Sequence, residues 1–162
     1  MHSSFHRFGE PSVTQFSVFL RNRVGELLEL TSKLSQARIQ IYGLSVWDAS
    51  DHAVIRIVLS DPPWALKTLK EDGYAVTKTE LLAVCLNDAP NAVGEICRGL
   101  LEAEVNIHYS YPLFCRPHGR PVLLIHCDDL QAGIVVLSRK KFDLVHHGQL
   151  RDGPDDQPRP VG

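Results

Sequence analysis

A shift of 66 residues lays part of this chain over itself without a gap, and that repeat limits the folds open to it more than any other feature. Residues 18–41 align with 84–107. Val18, Leu20, Glu29, Leu34, Ala37 and Ile41 meet Val84, Leu86, Glu95, Leu100, Ala103 and Ile107. Leu27, Leu30, Leu34 and Ala37, at helical spacing, fall on Val93, Ile96, Leu100 and Ala103, so one buried helical stripe is written twice. Ahead of the stripe, Phe16, Val18 and Leu20 alternate with Gln15 and Ser17, the period of a half-buried strand. Between strand and helix stands Asn22-Arg23-Val24-Gly25. Asn22 suits a helix cap, Glu26 and Glu29 suit a helix start, and Gly25 carries no Cβ. What recurs is the physical demand at each position, which marks a structural repeat.

The repeat divides the 162 residues into two units of about 65. A lone unit of that size buries only about 60% of its unfolded surface, so the two are expected to pack together as a pseudo-symmetric pair. The formal net charge of −2, from 17 Lys and Arg against 19 Asp and Glu, comes with no basic stripe and argues against nucleic acid. No stretch approaches 18 apolar residues and residues 1–7 lack a signal-peptide core, so the expectation is a cytoplasmic protein without membrane contact. Cys85, Cys97, Cys115 and Cys127 show no CxxC spacing and read as free thiols of a reducing compartment.

In chain order, the first unit reads as strand 13–20, a helix to about Ala37, a strand over 39–46, and a break at Asp48-Ala49-Ser50-Asp51. A β-branched strand follows over 53–59. Asp61 then caps a helix with Pro62 and Pro63 in its first turn; Leu66 and Leu69 face inward, and Asp72-Gly73 ends it. A strand over 74–79 runs almost directly through Glu80 into the next unit. There the order is strand 81–87, helix 91–103, strand 105–114, strand 121–127, helix 129–139 and strand 142–147. At an offset of 68, Val54, Ile57, Asp61 and Leu69 match Val122, Ile125, Asp129 and Leu137. The expected organisation is a flexible lead-in at 1–11, units at 12–79 and 80–149, and a disordered tail at 150–162. Each unit reads βαββαβ: an α+β, ferredoxin-like arrangement with two helices on one face of an antiparallel sheet.

βαββαβ with an Asn-Arg-Val-Gly loop and a helix closing in Ala37-Arg38-Ile39-Gln40-Ile41 resembles the ACT domain, and the whole is similar to small bacterial proteins made of two tandem ACT domains. The usual pattern there is an acidic or amide residue, Arg, Pro, Gly, then a helix closing with Ala-Gly-Ile/Val-Asn-Ile. The runs 48–56 and 103–111 fit as well, and the likeness covers roughly residues 13–147. The resemblance implies a regulatory protein that binds a small molecule, commonly an amino acid, at an interface between two domains. Carried over by position, it selects Asn22, Arg23, Val24, Gly25 and Glu26 with Gln40 and Ile41 in the first unit. In the second it selects Asp88, Pro90, Asn91 and Ala92 with Asn106 and Ile107. Two departures stand out. Val24 replaces the usual proline, and Asn91 replaces the usual glycine after Pro90. Asp88 adds a carboxylate where a ligand carboxylate is expected, so the first loop is the better candidate.

The chain carries no nucleophile elbow, Walker loop or dinucleotide fingerprint. Cys115, His118, His126 and Cys127 lie around one connection, but His126 and Cys127 are strand neighbours and point to opposite faces, which argues against zinc. The expectation is therefore a protein with no catalytic residues, no metal and no cofactor, assembled as a homodimer. The alternative is a structural or protein-partner-binding module without a small-molecule ligand.

Overall fold

The computed structural model describes residues 10–21 and 25–151. The chain divides into two units, one of residues 14–79 and one of residues 80 onward together with the N-terminal residues up to Val13.

The first unit comprises β1 (Val13–Arg21), α1 (Glu26–Gln36), β2 (Ile41–Ala49), β3 (His52–Leu59), α2 (Pro62–Glu71) and the opening of β4 (Ala75–Cys85). Its strands lie in the order β2-β3-β1-β4, and β3 is antiparallel to both β1 and β2. Alternation decides which face is buried. Phe16, Val18 and Leu20 of β1 and Ile55, Ile57 and Leu59 of β3 meet Leu30 and Leu34 of α1 and Ala65 and Leu69 of α2 in one core. Both helices therefore cover the same sheet face.

In the second unit the remainder of β4 pairs with β6 (Val122–Cys127), and β6 pairs with β5 (Ile107–Pro112), both antiparallel. Helices α3 (Ala92–Glu102) and α4 (Leu130–Arg139) supply Ile96, Leu100, Val136 and Leu137 to a core with Leu82, Val84, Ile125 and Cys127. The backbone of α4 comes so close to the sheet at Gly133 that an added Cβ would stand 2.8 Å from Leu82 Cδ1.

All four helices end in the same way. The amides of Ile39, Tyr74, Val105 and Phe142 reach back 2.9–3.0 Å to the carbonyls of Leu34, Leu69, Leu100 and Leu137. The residue before each returning amide is left-handed: Arg38, Gly73, Glu104 and Lys141, with φ of 58°, 84°, 56° and 66°. This is the Schellman closure, and glycine fills it at only one of the four. The returning residue is apolar each time, which turns the chain back onto the core.

Three sequence expectations are refined. The strands at 74–79 and 81–87 are one strand, β4, because no glycine or proline interrupts Ala75–Cys85. The strand expected at 142–147 shrinks to a single bridge, Val84 with Leu144, where Cys85 N donates to Asp143 O and Val145 N to Ala83 O. Residues His147–Arg151 then coil into a 3-10 turn with Leu150 buried. Val93, placed by the repeat on the inward stripe, is 47% exposed, because it lies in the first turn of α3, a turn ahead of buried Ile96.

Candidate functional site

In each unit the sequence pattern selects two segments: the loop from strand into first helix, and the start of the following strand. Asn22, Arg23 and Val24 lie outside the described residues. Gly25 is the N-cap of α1 in the left-handed region, with φ 91° and ψ −9°. The N-cap position thus falls on Gly25, whose conformation is one that L side chains rarely adopt. Its two chain neighbours aside, no atom of the described residues lies within 4 Å of where a Gly25 Cβ would stand. Its carbonyl accepts from Glu29 N at 2.9 Å, and Glu26 begins the helix half-buried.

In the second unit, Asp88 and Pro90 are exposed, and Asn91 caps α3 with φ −99°. Asn91 is therefore not left-handed, and the loops differ in backbone as well as in sequence. Ala89 N donates to Asn87 Oδ1 at 3.0 Å, and Ala92 N donates to Ala89 O at 3.1 Å.

One property separates these two helices from the others. At α2, Asp61 Oδ1 accepts from Trp64 N at 3.4 Å, and at α4, Asp129 Oδ1 accepts from Ala132 N at 3.0 Å. The cap residues of α1 and α3 make no side-chain hydrogen bond. A helix start holds amides with no intrahelical partner and the positive end of the helix dipole. The chain closes that end with aspartate on α2 and α4. Among the described residues, no side chain closes the start of α1 or α3, where the sequence pattern puts the ligand.

The strand starts are also built alike. Gln40 N donates to Ser60 Oγ at 2.8 Å, and Ser60 N returns a bond to Gln40 O at 2.9 Å. Asn106 N donates to Asp128 Oδ1 at 3.0 Å, and Asp128 N returns one to Asn106 O at 3.1 Å. The backbone of each candidate residue is clamped, while Gln40 and Asn106 are both exposed. Ile41 and Ile107 follow as half-buried members of their unit's core. Sequence reading missed Ser60 and Asp128, although the polar residue just after β3 or β6 was the available signal.

A separate groove of about 410 Å³ lies along α3 and α4, lined by Glu102, Ala103, Ala132, Val135, Val136, Arg139 and Lys140. It sits at the C-terminal end of α3, about 15 Å along the helix from the Asn91 loop. It is thus a different place from the loop pattern.

Burial raises the pKa of the Cys85, Cys115 and Cys127 thiols above the ordinary value, the reverse of activation for nucleophilic work. Among the described residues there is no group of three or more His, Cys, Asp and Glu arranged to hold a metal ion, and no helix long and apolar enough to cross a membrane.

Comparison with known proteins follows the same lines. A family described as the ACT domain pair matches residues 11–152. The chain is similar to a protein from Bacteroides thetaiotaomicron of known crystal structure, at 29% identity, over 86% of this chain and 95% of that one, with a TM-score of 0.79. It shares its fold with the regulatory subunit of aspartate kinase from Thermus thermophilus, in ligand-free form, at 11% identity over 80% and 93% of the two chains and a TM-score of 0.56. The corresponding subunit from Thermus flavus matches at 12% identity over 79% and 91%, with a TM-score of 0.51. A comparison with curated proteins gives no match.

Proposed function

The chain belongs to the ACT domain pair family, and from that premise we propose that it is a regulatory protein which binds a small molecule, an amino acid, and has no catalytic activity of its own. Family membership supports the ligand-binding regulatory role. The observation that supports the finer reading is the contrast in helix starts: aspartate closes α2 and α4, while among the described residues no side chain caps α1 or α3. Unsatisfied amides at a helix start suit a carboxylate, and Gly25 allows close approach to the backbone.

In this reading the ligand carboxylate sits at the start of α1, with Asn22, Arg23, Val24, Gly25 and Glu26 around it. The exposed amide of Asn106 or Gln40 orients the ammonium group, with Ile107 or Ile41 beside it. Asp88, Pro90, Asn91 and Ala92 form the weaker second loop, since Asp88 repels a carboxylate. The protein works in the cytoplasm as a homodimer.

A thermal-shift screen over the standard amino acids tests the reading. A ligand at 100 times its dissociation constant stabilises by about 2.7 kcal/mol. A flat response to every amino acid would move the function to partner binding, and turnover of any substrate would move it to catalysis. Sedimentation equilibrium showing only monomer at high concentration would remove the dimer.

A further inference from the structure

A furrow between two helices is filled in the first unit and open in the second. Trp64 and Ala132 hold the same place in the repeat. They correspond at the offset of 68, and each donates its amide to the cap aspartate three residues earlier, Trp64 N to Asp61 Oδ1 and Ala132 N to Asp129 Oδ1. Ala37 and Ala103 hold another shared place. They correspond at the offset of 66 and are the C-caps of α1 and α3, each followed by the left-handed residue of its Schellman closure. In the first unit the Trp64 indole joins the two places. Its Nε1 donates to Ala37 O at 3.2 Å, and Lys67 Nζ stands 5.8 Å from the ring centroid. The ring thus ties α2 to the end of α1.

In the second unit the alanine at 132 supplies no ring. What stands there is the groove of about 410 Å³, whose lining includes Ala103, Ala132, Val135 and Val136. At the offset of 68, Lys67 gives way to Val135 and Thr68 to Val136, so the walls become aliphatic as the ring is lost. No hydrogen bond to the Ala103 carbonyl occurs among the described residues, whereas the Ala37 carbonyl accepts from the indole. The volume lies within the range of small-molecule sites, ~300–1,000 Å³, and an apolar wall with one unused acceptor is their usual make-up.

We propose that this furrow binds a small molecule carrying an indole or a similar fused ring with an N–H donor. The ring takes the place that Trp64 holds in the first unit. Its apolar faces lie against Ala132, Val135 and Val136, and its N–H donates to Ala103 O. A flat ring brings a large apolar area, and its N–H needs an acceptor once it leaves water. Arg139 lines the same furrow, takes part in no ion pair among the described residues, and stands where the first unit has Glu71. An acidic substituent on the ring is therefore favoured, because guanidinium matches a carboxylate. The site is built from the second unit alone, lies apart from the loop at α1 and stands or falls separately.

The test is a nuclear magnetic resonance titration of the full chain, read at the methyl groups of Ala103, Ala132, Val135 and Val136. Indole and indole-3-acetate are expected to shift these methyls along saturable curves while the Ala37 methyl stays still. 1-Methylindole, which has the ring but no donor, binds about tenfold more weakly than indole. Arg139→Gln weakens indole-3-acetate about tenfold and leaves indole unchanged. Ala132→Trp rebuilds the arrangement of the first unit, so it abolishes the shifts and raises the melting temperature. Ala132→Leu narrows the furrow with less bulk and gives a second reading if the tryptophan variant fails to fold; it weakens indole at least about tenfold. Any amino-acid binding found by thermal shift at the α1 loop persists in both variants, which separates the two sites. Absence of a saturable shift with either indole compound overturns the proposal. So does equal affinity for indole and 1-methylindole, or undiminished binding in both Ala132 variants. A dimer that dissociates on Val135→Glu overturns it too, since a second copy then fills the furrow.

Discussion

Asn106 and Asp128 hold each other through two hydrogen bonds, and both run through the backbone of Asn106. Its amide nitrogen donates to Asp128 Oδ1 at 3.0 Å, and its carbonyl accepts from Asp128 N at 3.1 Å. The structural duty of Asn106 therefore falls on its main chain, and its exposed side chain is the part to which the proposed ligand role is assigned. Binding and stability should separate accordingly. Asn106→Ala should change the unfolding free energy by less than about 0.5 kcal/mol, yet weaken amino-acid binding by roughly 1–3 kcal/mol through the lost partner. Asp128→Ala should destabilise the fold by about 1 kcal/mol, and Ser60→Ala by less, because a hydroxyl is a weaker acceptor than a carboxylate. Calorimetric titration alongside denaturant unfolding of the three variants checks the pattern; equal stability loss in Asn106→Ala and Asp128→Ala contradicts it.

The four helix closures predict stabilising changes. Arg38, Glu104 and Lys141 adopt the left-handed conformation that Gly73 adopts without a Cβ. A non-glycine residue there is strained by roughly 1–2 kcal/mol, partly offset by the greater freedom of glycine in the unfolded chain. Replacing any of the three with glycine should raise stability by about 0.5–1 kcal/mol, and Gly73→Ala should lower it by about 1 kcal/mol. The shift in melting temperature reads the sign directly.

Gly133 is a matter of space rather than of backbone conformation. Its missing Cβ would stand 2.8 Å from Leu82 Cδ1 and 3.6 Å from both Cys127 Sγ and Leu100 Cδ2. Leu82 and Leu100 are fully buried, so neither can swing into solvent. Gly133→Ala should cost roughly 1–3 kcal/mol despite the better helix propensity of alanine. Gly94, also helical, has nothing within 4 Å of its Cβ position, and Gly94→Ala should be neutral or stabilising by up to about 1 kcal/mol.

Thiol labelling should follow burial. Cys97 is exposed, Cys115 half-buried, and Cys85 and Cys127 buried. Burial also raises the pKa of the last three, which reduces the reactive thiolate at a given pH. With iodoacetamide at pH 8, mass spectrometry should find Cys97 modified first and Cys115 later. Cys85 and Cys127 should react only on unfolding.

The sequence alone determined the internal repeat, the strand–helix–strand–strand–helix order of each unit, the inward stripes Leu30–Leu34 and Ile96–Leu100, and the Asp61 cap with its prolines. All of these are local: periodicity and cap chemistry are written within a few neighbouring residues, so reading along the chain recovers them. The same reading could mark Gly25, Gln40, Asn91 and Asn106 as candidates only by pattern. Tertiary structure decided what depends on residues far apart in the chain. It closed Gln40 with Ser60 and Asn106 with Asp128, merged 75–85 into one strand, and reduced the last strand to the bridge at Leu144. It also aligned Phe19, Val54 and Trp47 on one sheet face, because strand register is set by the buried face as a whole and no single segment specifies which residues stand opposite one another.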